Sequence, residues 1–347
     1  LVISQKLGIE SVGIDINPYA TLLSSVKTNV YNYNKVLSAV TKIETNLNTS
    51  LNYNNHYFFN IEKWFKKEII QSLSKIRFCI ISETDKDIRN FFWVCLSETI
   101  SKFSNDRTST FKLHSLSQEK INLIQNNCIE FFINKIKDNS KFLNYEKTSR
   151  VKVFYGDCTE VMKNKLNKKF KIICTSPPYG DNSTTVTYGQ SSILSLKWID
   201  KKDLECTSEI LDRYSTIDKI SIGGIKREID NTANIYSLNN YLNRISKNKT
   251  KKVINFFEDY YNVMKNIENI LDRNGFLIMT VGNRRIDSII QPLDDITIEI
   301  AEKLGLKVIS KFNRNILHKK TPFTSSSSKN QKLVKSISEE TILIFIK

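Results

Sequence analysis

Two prolines and a tyrosine follow a predicted buried strand, and their types and order suit them to bind a planar polar ring. The strand is predicted over Phe170–Thr175, and Ser176-Pro177-Pro178-Tyr179 follows it. Consecutive prolines can neither continue a strand ladder nor freely begin a helix, so they rigidly project their carbonyls and the next aromatic ring. The Ser176 hydroxyl and the Pro177 carbonyl can accept both hydrogens of an exocyclic amine, while Tyr179 stacks on its ring. A purely structural turn is the alternative interpretation.

Such a pair of acceptors matters because an exocyclic amine is a poor nucleophile, its lone pair being delocalised into the ring. Acceptors on both hydrogens favour a more pyramidal nitrogen and stabilise the charge that develops as the nitrogen attacks a methyl group. For a base in a duplex, extrusion costs a few kcal/mol, and stacking on Tyr179 returns roughly 1–3 kcal/mol. Phosphate contacts must supply the rest. This chemistry needs neither a metal nor a covalent enzyme intermediate.

Two aspartates lie at the predicted ends of two other strands. Asp15 lies near the end of Ser11–Ile16, and Asp157 follows Val151–Tyr155. Ligands of open α/β sheets bind beyond the carboxyl ends of the strands, so we expect both aspartates to meet the Ser176 turn in one cleft. There Asp15 can accept hydrogen bonds from both hydroxyls of a ribose, and Asp157 from the amine of an adenine, with the Cys158 N–H at a ring nitrogen. The alternative for each aspartate is a plain helix cap.

The elements that must position these residues alternate between strand and helix, which predicts an α/β fold with a mostly parallel sheet. Further strands are predicted at Phe276–Val281, Lys307–Lys311 and Thr341–Ile346, and helices at Val253–Leu271, ended by 273–275, and at Asp295–Leu304, closed by Gly305. No helix separates the last two strands, so they can pair antiparallel at the sheet edge. Residues 25–149 are rich in Lys and Asn and have helical apolar spacing, which predicts a helical insertion.

Composition adds a charge argument. The chain has 347 residues, 40% of them hydrophobic, and 52 basic against 36 acidic residues give a net charge of +16. This surplus favours a polyanionic partner, with a generally Lys-rich surface as the alternative. The candidate contacts, each of which is equally compatible with a solvated run, are Arg284, Arg285, Lys319, Lys320 and 247–252.

Cysteine and hydropathy patterns narrow the class of protein further. The six cysteines contain no C-x-x-C pair and there are only three histidines, which predicts reduced, cytosolic thiols and neither a disulfide framework nor a metal site. No apolar run is long enough to span a bilayer, and the first residues lack the layout of a secretory signal. We therefore expect a cytoplasmic protein without a membrane partner.

These segments resemble the amino-methyltransferases of bacterial restriction–modification systems. Residues 13–18 (GIDINP) are similar to the segment that follows their glycine-rich cofactor loop and binds the ribose. Gly156-Asp157-Cys158 resembles their adenine-contacting motif. Thr175-Ser176-Pro177-Pro178-Tyr179 resembles the form typical of enzymes that modify the N4 amine of cytosine, whereas adenine-modifying relatives more often carry Asp or Asn in place of Ser. The resemblance extends over about 1–24 and 150–347, and the basic run at 318–322 is part of it.

The resemblance implies a Rossmann-like methyltransferase sheet with an antiparallel terminal hairpin, and S-adenosylmethionine as cofactor. It places the cofactor at Asp15, Asn17, Asp157, Cys158 and Thr175. Double-stranded DNA is the implied substrate and a cognate restriction endonuclease the implied partner. Methylation of cytosine N4 leads, with adenine N6 as the nearest alternative. Glutamine methylation of a protein uses a similar site, but those relatives carry Asn at position 176.

One departure from the family pattern concerns the start of the chain. The Phe-x-Gly-x-Gly loop and the central first strand before it are absent, so we expect a fragment that begins some tens of residues late, or a second polypeptide that supplies the piece. Such a chain is expected to bind cofactor poorly unless complemented, and an inactive fragment or a DNA-binding subunit is a further alternative. The predicted domains are a catalytic domain, 1–24 with 150–347, and an insertion, 25–149. Target recognition is expected in 180–250 or in the insertion.

Overall fold

The computed structural model describes residues 1–107, 113–180, 188–224, 231–316, 324–326, 333–335 and 339–347. The chain divides into two compact units, Leu1–Gly156 with Tyr188–Thr216, and Asp157–Thr187 with Ile217–Lys347. Helices alternate with strands, which confirms the α/β class, whereas the expected mostly parallel sheet stays a prediction, because two of the strand pairs among the described residues are parallel and four are antiparallel. Within the described ranges, no helix combines the length and apolarity needed to cross a membrane.

The elements are numbered in chain order. The helices are α1 (Val2–Lys6), α2 (Pro18–Thr28), α3 (Tyr33–Asn48), α4 (Ile61–Trp64), α5 (Lys67–Ile81), α6 (Lys86–Phe103), α7 (Gln118–Asn122), α8 (Cys128–Lys141), α9 (Cys158–Asn164), α10 (Tyr188–Trp198), α11 (Ser208–Asp212), α12 (Thr216–Ile220), α13 (Tyr236–Leu242), α14 (Lys247–Ile270) and α15 (Leu293–Lys303), with a 3₁₀ turn at Lys201–Asp203. The strands are β1 (Ser11–Asp15), β2 (Val151–Tyr155), β3 (Phe170–Thr175), β4 (Leu271–Val281), β5 (Arg285–Ile286), β6 (Ile289–Ile290), β7 (Lys307–Asn315), β8 (Thr324–Ser326), β9 (Leu333–Lys335) and β10 (Glu339–Ile346).

The first unit combines a small parallel sheet with a large helical part. Strands β1 and β2 pair in parallel, with Asp15 opposite Tyr155 at their carboxyl ends. Helix α6 contacts α2, α5, α8 and α10, and its aromatic residues are buried among them. The predicted helical character of 25–149 is confirmed for the described residues, where the one β-type contact is an isolated bridge between Asp106 and Ser115. The division into a catalytic domain and an insertion stays a prediction, because compactness does not report which part carries the chemistry.

A buried ion pair crosses the core of this unit. Asp203 is 5% exposed and accepts hydrogen bonds from Arg89 Nη2 at 2.8 Å and from the indole N–H of Trp93 at 2.8 Å. Burial acts to raise the pKa of Asp203, but the bonds from Arg89 and Trp93 outweigh it and hold the pKa below its ordinary value. The pair therefore connects α6 to the 3₁₀ turn through charges that have lost most of their water.

The second unit is built on a four-stranded sheet. The strand order is β3-β4-β10-β7, in which β3 and β4 are parallel and β10 is antiparallel to both of its neighbours. The strands predicted at Lys307–Lys311 and Thr341–Ile346 correspond to β7 and β10, and their predicted antiparallel pairing is confirmed. Helix α14 buries one apolar face, and α15 packs against β7 and β10. Because β10 runs antiparallel to β4, its amino end lies beside the carboxyl ends of β3 and β4. Residues from distant parts of the chain therefore meet at this end of the sheet.

The boundary between α14 and β4 differs from the prediction. The helix starts at Lys247, six residues earlier than expected, and ends at Ile270, and the strand begins at once with Leu271. The expected stop at 273–275 is instead part of the strand. Backbone bonds explain this, because Asn274 N–H donates to the Lys347 carbonyl at 3.1 Å and Lys347 N–H donates to the Gly275 carbonyl at 3.1 Å. Pairing with the last residue therefore extends β4 backwards.

A two-residue hairpin joins β5 to β6 and is tied to the start of α14. Asp287 and Ser288 form its turn with φ of 54° and 66°, the left-handed conformation of a type I′ hairpin. The Asp287 carboxylate accepts from the Ser246 N–H at 3.0 Å, from the Ser246 hydroxyl at 2.5 Å and from Lys249 Nζ at 2.5 Å. These bonds, that of Lys249 first, lower the pKa of Asp287.

Replacing Asp287 with asparagine is therefore expected to destabilise the protein at neutral pH. Hydrogen bonds to a charged acceptor are worth more than neutral ones, so we expect a loss of about 1–3 kcal/mol in the free energy of unfolding. Since the folded-state pKa is depressed, this contribution is fully present above the unfolded pKa of about 3.9 and is lost progressively as the pH falls from there through the lower folded-state pKa. Urea unfolding at pH 7 and at a series of lower pH values checks both points, because the difference between the wild type and the variant should narrow as the pH falls. Asp272→Asn, at the exposed pair with Lys171, is the matched control and should change little.

Candidate functional site

The Ser176 turn lies directly beyond the end of β3, as the sequence predicted. Thr175 is the last strand residue and pairs with Met279 of β4. Ser176 is exposed, Pro177, Pro178 and Tyr179 are half-buried, and Gly180 is buried. An exposed hydroxyl next to two rigid prolines is thus presented at the carboxyl edge of the sheet, and the chain turns inward immediately after it.

Tyr179 is held at its hydroxyl and at its ring. The hydroxyl donates to Glu340 Oε1 at 2.5 Å. The ring lies against Gly282, the residue that follows β4, so closely that a Cβ atom at position 282 would come within 2.5 Å of the Tyr179 ring. Glycine is required at 282 by this close approach. The tyrosine ring therefore has a defined orientation.

A second set of contacts holds the backbone of the turn. The Tyr179 carbonyl accepts from Gln291 Nε2 at 3.3 Å, and Gln291 is fully buried. The side-chain amide oxygen of Gln291, Oε1, accepts a hydrogen bond from Arg284 Nε at 3.1 Å. The Arg284 guanidinium in turn lies against Gly180, where a Cβ atom would come within 2.1 Å of it. Arg284 and Gln291 flank the β5–β6 hairpin, which is thereby attached to the turn.

These contacts change the interpretation of the two adjacent arginines. The sequence makes both of them candidate contacts for a polyanion, with a solvated run as the alternative. Arg284 is 6% exposed and is an interior cation, because its guanidinium is used against Gly180 and Gln291. Arg285 is exposed and donates to the Ser288 carbonyl at 3.1 Å. Lys319 and Lys320 lie outside the described residues.

Asp15 ends β1 in the first unit and is oriented by the residues after it. Its Oδ1 accepts from the Asn17 N–H at 2.8 Å, and its main-chain carbonyl accepts from the Gly156 N–H at 3.0 Å. Burial raises the pKa of Asp15, and the N–H groups of Asn17 and Ile16 partly offset this, although the residue still reaches solvent. These two N–H groups occupy at most two of the roughly four acceptor positions of a carboxylate. Asp15 therefore keeps capacity to accept from two hydroxyl groups.

Asn17 is buried and has a structural role. Its Oδ1 caps α2 by accepting from the Tyr19 N–H at 3.0 Å, and its Nδ2 donates to the Ser192 hydroxyl at 2.8 Å. The proline at the first position of the helix fits this cap. Contact between Asn17 and a cofactor stays a prediction, and what the geometry gives Asn17 is the fixing of Asp15 through its backbone N–H.

Asp157 caps the short helix α9 in the second unit. Its Oδ1 accepts from the N–H groups of Thr159 at 2.7 Å and Glu160 at 3.3 Å. The Asp157 carboxylate thus acts as a helix cap, which is the alternative that the sequence left open. An additional contact between Asp157 and an adenine stays a prediction. Cys158 follows it, and burial raises the pKa of its thiol to about 11, so the side chain is a neutral thiol at physiological pH.

The structure brings some of the predicted site residues together. Thr175–Tyr179 and Arg284 meet around one turn of the second unit, and Asp15 and Asn17 meet at the end of β1 in the first. A single cleft shared by Asp15, Asp157 and the Ser176 turn stays a prediction. In the part of the chain that the structure describes, no group of three or more His, Cys, Asp or Glu side chains could hold a metal ion.

Sequence reasoning missed four residues around Tyr179, namely Gly282, Gln291, Arg314 and Glu340. Gly282 directly follows β4, so the rule that ligand sites lie beyond strand ends could have found it. The other three belong to the hairpin end and to an antiparallel strand pair. No local sequence signal places them near Tyr179, because the approach of Glu340 and Arg314 depends on the β7–β10 register and that of Gln291 on the placement of the β5–β6 hairpin.

Comparison with known proteins adds one relative. No family model matches the chain. The chain is similar to the type II methyltransferase M.MvaI of Kocuria varians, with 30% identity over 341 residues, which cover 92% of this chain and 75% of that protein. Since 92% of the chain is covered, the similarity includes most of the helical region 25–149, where the family motifs gave little signal.

Proposed function

The chain belongs to the type II methyltransferases of restriction–modification systems, and on this basis we propose that it methylates the exocyclic N4 amine of cytosine in double-stranded DNA. The observation that carries the proposal is the rigid Thr175–Tyr179 turn at the end of β3, with Ser176 exposed and Tyr179 fixed beside it. The strand order β3-β4-β10-β7, with its antiparallel β10, supports the Rossmann-like sheet that such an enzyme requires.

At the turn, Ser176 and Pro177 act on the amine of the extruded base. The Ser176 hydroxyl and the Pro177 carbonyl accept its two hydrogens and stabilise the positive charge that develops on nitrogen. Pro178 keeps the turn rigid, and Tyr179 stacks on the base. A carbonyl and a hydroxyl hold the amine without removing a proton in advance, so the proton leaves only after the nitrogen has gained charge.

S-adenosylmethionine, when bound, supplies an electrophilic methyl group attached to a sulfonium sulfur. Asp15 fits the ribose of this cofactor, because it reaches solvent at a strand end and keeps acceptor capacity beyond the Asn17 N–H. Asn17 contributes by orienting Asp15. Asp157, Cys158 and Thr175 are the proposed contacts at the adenine and the methyl donor, in agreement with the family motif. Each role can be tested by a single substitution and a binding titration with the cofactor.

DNA is engaged through its phosphates as well as its target base. Of the two adjacent arginines, Arg285 is the exposed one and can reach a phosphate. Lys247, Lys251 and Lys252 are also exposed, on the first turns of α14. Lys319 and Lys320 are proposed as further contacts on sequence grounds. Neutralising phosphates releases counterions, so affinity for DNA should fall steeply with salt. The same contacts help to offset the cost of base extrusion.

Ser at position 176 favours cytosine N4 over adenine N6 as the target atom. A neutral hydroxyl donates and accepts, whereas the Asp or Asn typical of adenine-modifying relatives presents a different acceptor at this position. Adenine N6 is the second candidate, because both amines present two hydrogens to the same pair of acceptors. The two candidates differ in the product and are separated by the same experiment.

Methylome sequencing of a host that expresses the complete reading frame is the direct test. We expect N4-methylcytosine at one short recognition sequence in cells with the wild-type frame, and a much smaller modified fraction of the same sites with a Ser176→Ala frame as the matched control. N6-methyladenine would select the alternative target, and unmodified DNA from cells with soluble protein would contradict the proposed function. The method reports the base, the atom and the recognition sequence together.

A further inference from the structure

Two residues outside the family motifs fix the hydroxyl end of Tyr179. Glu340, the second residue of β10, accepts the Tyr179 O–H through Oε1 at 2.5 Å. Its other oxygen, Oε2, accepts from Arg314 Nε at 3.0 Å and Nη2 at 2.8 Å. Arg314 is directly opposite Glu340 in the β7–β10 pair. The tyrosine, the carboxylate and the guanidinium therefore form a chain of hydrogen bonds across the sheet edge.

Glu340, in the middle of this row of hydrogen bonds, and Arg314, at its outer end, differ in exposure. The Glu340 side chain is 17% exposed, whereas that of Arg314 is 59% exposed. Arg314 therefore does little to bury apolar surface, and an exposed ion pair alone contributes little to stability. The two N–H groups of the Arg314 guanidinium, however, both donate to Glu340 Oε2, and this leaves Oε1 to accept from the Tyr179 hydroxyl. The geometry suits Arg314 to orient Glu340 and Glu340 to orient Tyr179.

The Tyr179 side chain is held from several directions, and the hydroxyl contact fixes where the far end of the ring lies. Gly282 lies against the ring and Gln291 binds the main-chain carbonyl. The Gly282 contact limits rotation of the ring about χ2, so the remaining freedom of the side chain is a swing of the whole ring about χ1. A hydrogen bond at the far end of the ring restricts this motion most effectively. Glu340 therefore sets the surface on which a base can stack.

We propose that Glu340 and Arg314 are positioning residues that hold the Tyr179 ring in the orientation that stacks on the extruded target base. This inference rests on the proposed function and deepens it, because it names residues on which base extrusion depends. Stacking is sensitive to the plane of the ring, and an anchored ring loses less freedom when the base arrives. Neither residue touches the reacting atoms, so both act through Tyr179.

The test compares variants that weaken the chain at different links. Tyr179→Phe removes only the hydroxyl, Glu340→Gln keeps the shape but removes the charge, and Arg314→Lys keeps the charge but removes the fork. Glu268→Gln is the matched control, because Glu268 forms an ion pair with Lys347 in the same unit away from Tyr179. The readouts are kcat, KM for DNA, the melting temperature, and the fluorescence of 2-aminopurine placed at the target position, which reports extrusion of the base.

We expect Tyr179→Phe and Glu340→Gln each to lower the population of extruded base and kcat/KM about 10-fold, with a smaller loss for Arg314→Lys. The double variant should be no worse than the stronger single one, since both break the same link. Glu268→Gln should match the wild type in fluorescence and turnover. A purely structural role would lower the melting temperature without changing the fluorescence of the folded fraction.

Failure of this inference is distinguishable from failure of the proposed function. A wild-type protein that methylates DNA, together with Tyr179→Phe and Glu340→Gln variants within twofold of it in fluorescence and kcat/KM, would overturn the positioning role alone. A wild-type protein that does not methylate DNA would overturn the proposed function and this role with it. If Glu340→Gln does not fold, Tyr179→Phe still decides, because it removes a single oxygen atom from a half-buried ring.

Discussion

Replacing Ser176 with alanine is expected to lower kcat for DNA methylation about 10²–10³-fold, the usual effect of removing one group that stabilises developing charge. The hydroxyl is exposed at the end of β3, and the prolines after it keep it in place. Its partner, the Pro177 carbonyl, belongs to the backbone and remains in the variant. One hydrogen of the amine then lacks its acceptor, and the loss falls on the transition state. KM for DNA should change little, because the phosphate contacts are retained.

Single-turnover transfer of a labelled methyl group measures this loss without interference from product release. Ser101→Ala, the same substitution on the exposed face of α6, is the matched control and should retain wild-type turnover. Ser176→Asn restores an acceptor at the position and should recover part of the rate. A Ser176→Ala variant with wild-type kcat would show that the hydroxyl takes no part in the transfer, and the Pro177 carbonyl would then have to act alone.

The strands that carry the site could be read from the sequence residue by residue. β2 and β3 have the predicted bounds because each is a short apolar run with a clear stop, Gly156 after the first and two prolines after the second. The start of α14 was missed by six residues. Its first turn is polar and exposed, and the Ser246 hydroxyl, which would normally mark a helix start, donates to Asp287 and does not cap the helix. Asp287, the residue of the β5–β6 hairpin that accepts from the Ser246 hydroxyl, lies 41 residues away in the sequence.

The site itself divides in the same way between local and tertiary signals. Ser176–Tyr179 and Asp15 follow strands, so a rule about strand ends was sufficient to select them. Arg284 and Arg285 are adjacent and chemically identical, yet one is interior and the other exposed, because Arg284 packs against Gly180 and Gln291 just before β5, whereas Arg285 begins the β5–β6 hairpin. The Glu340–Arg314 pair depends on the β7–β10 register, which contains a shift between Ile344 and Phe345. No pattern in a single sequence fixes such a register.

Replacing Asp203 with alanine is expected to lower the free energy of unfolding by about 3–5 kcal/mol, the cost of leaving a buried charge without its partner. Asp203 is 5% exposed and accepts from Arg89 and from the Trp93 indole N–H. The variant leaves the indole N–H without its acceptor and the guanidinium without its carboxylate, while the hydrogen bonds from Arg89 Nη1 to the Glu83 and Thr84 carbonyls remain. Because the folded-state pKa of Asp203 is depressed, the wild-type advantage is present above about pH 4 and is lost as the pH falls through the folded-state value.

Tryptophan fluorescence, to which Trp93 contributes together with Trp64 and Trp198, measures this change through urea unfolding. Asp212→Ala is the matched control in the same unit, since Asp212 pairs with Lys201 through side chains that are 73% and 59% exposed. Solvent screens that pair, and its loss should cost about 0–1 kcal/mol. The difference between the two variants isolates the effect of burial from the effect of removing a carboxylate. An Asp203→Ala protein as stable as Asp212→Ala would mean that Arg89 reaches water or another acceptor when Asp203 is gone, and that the ion pair orients α6 without stabilising it.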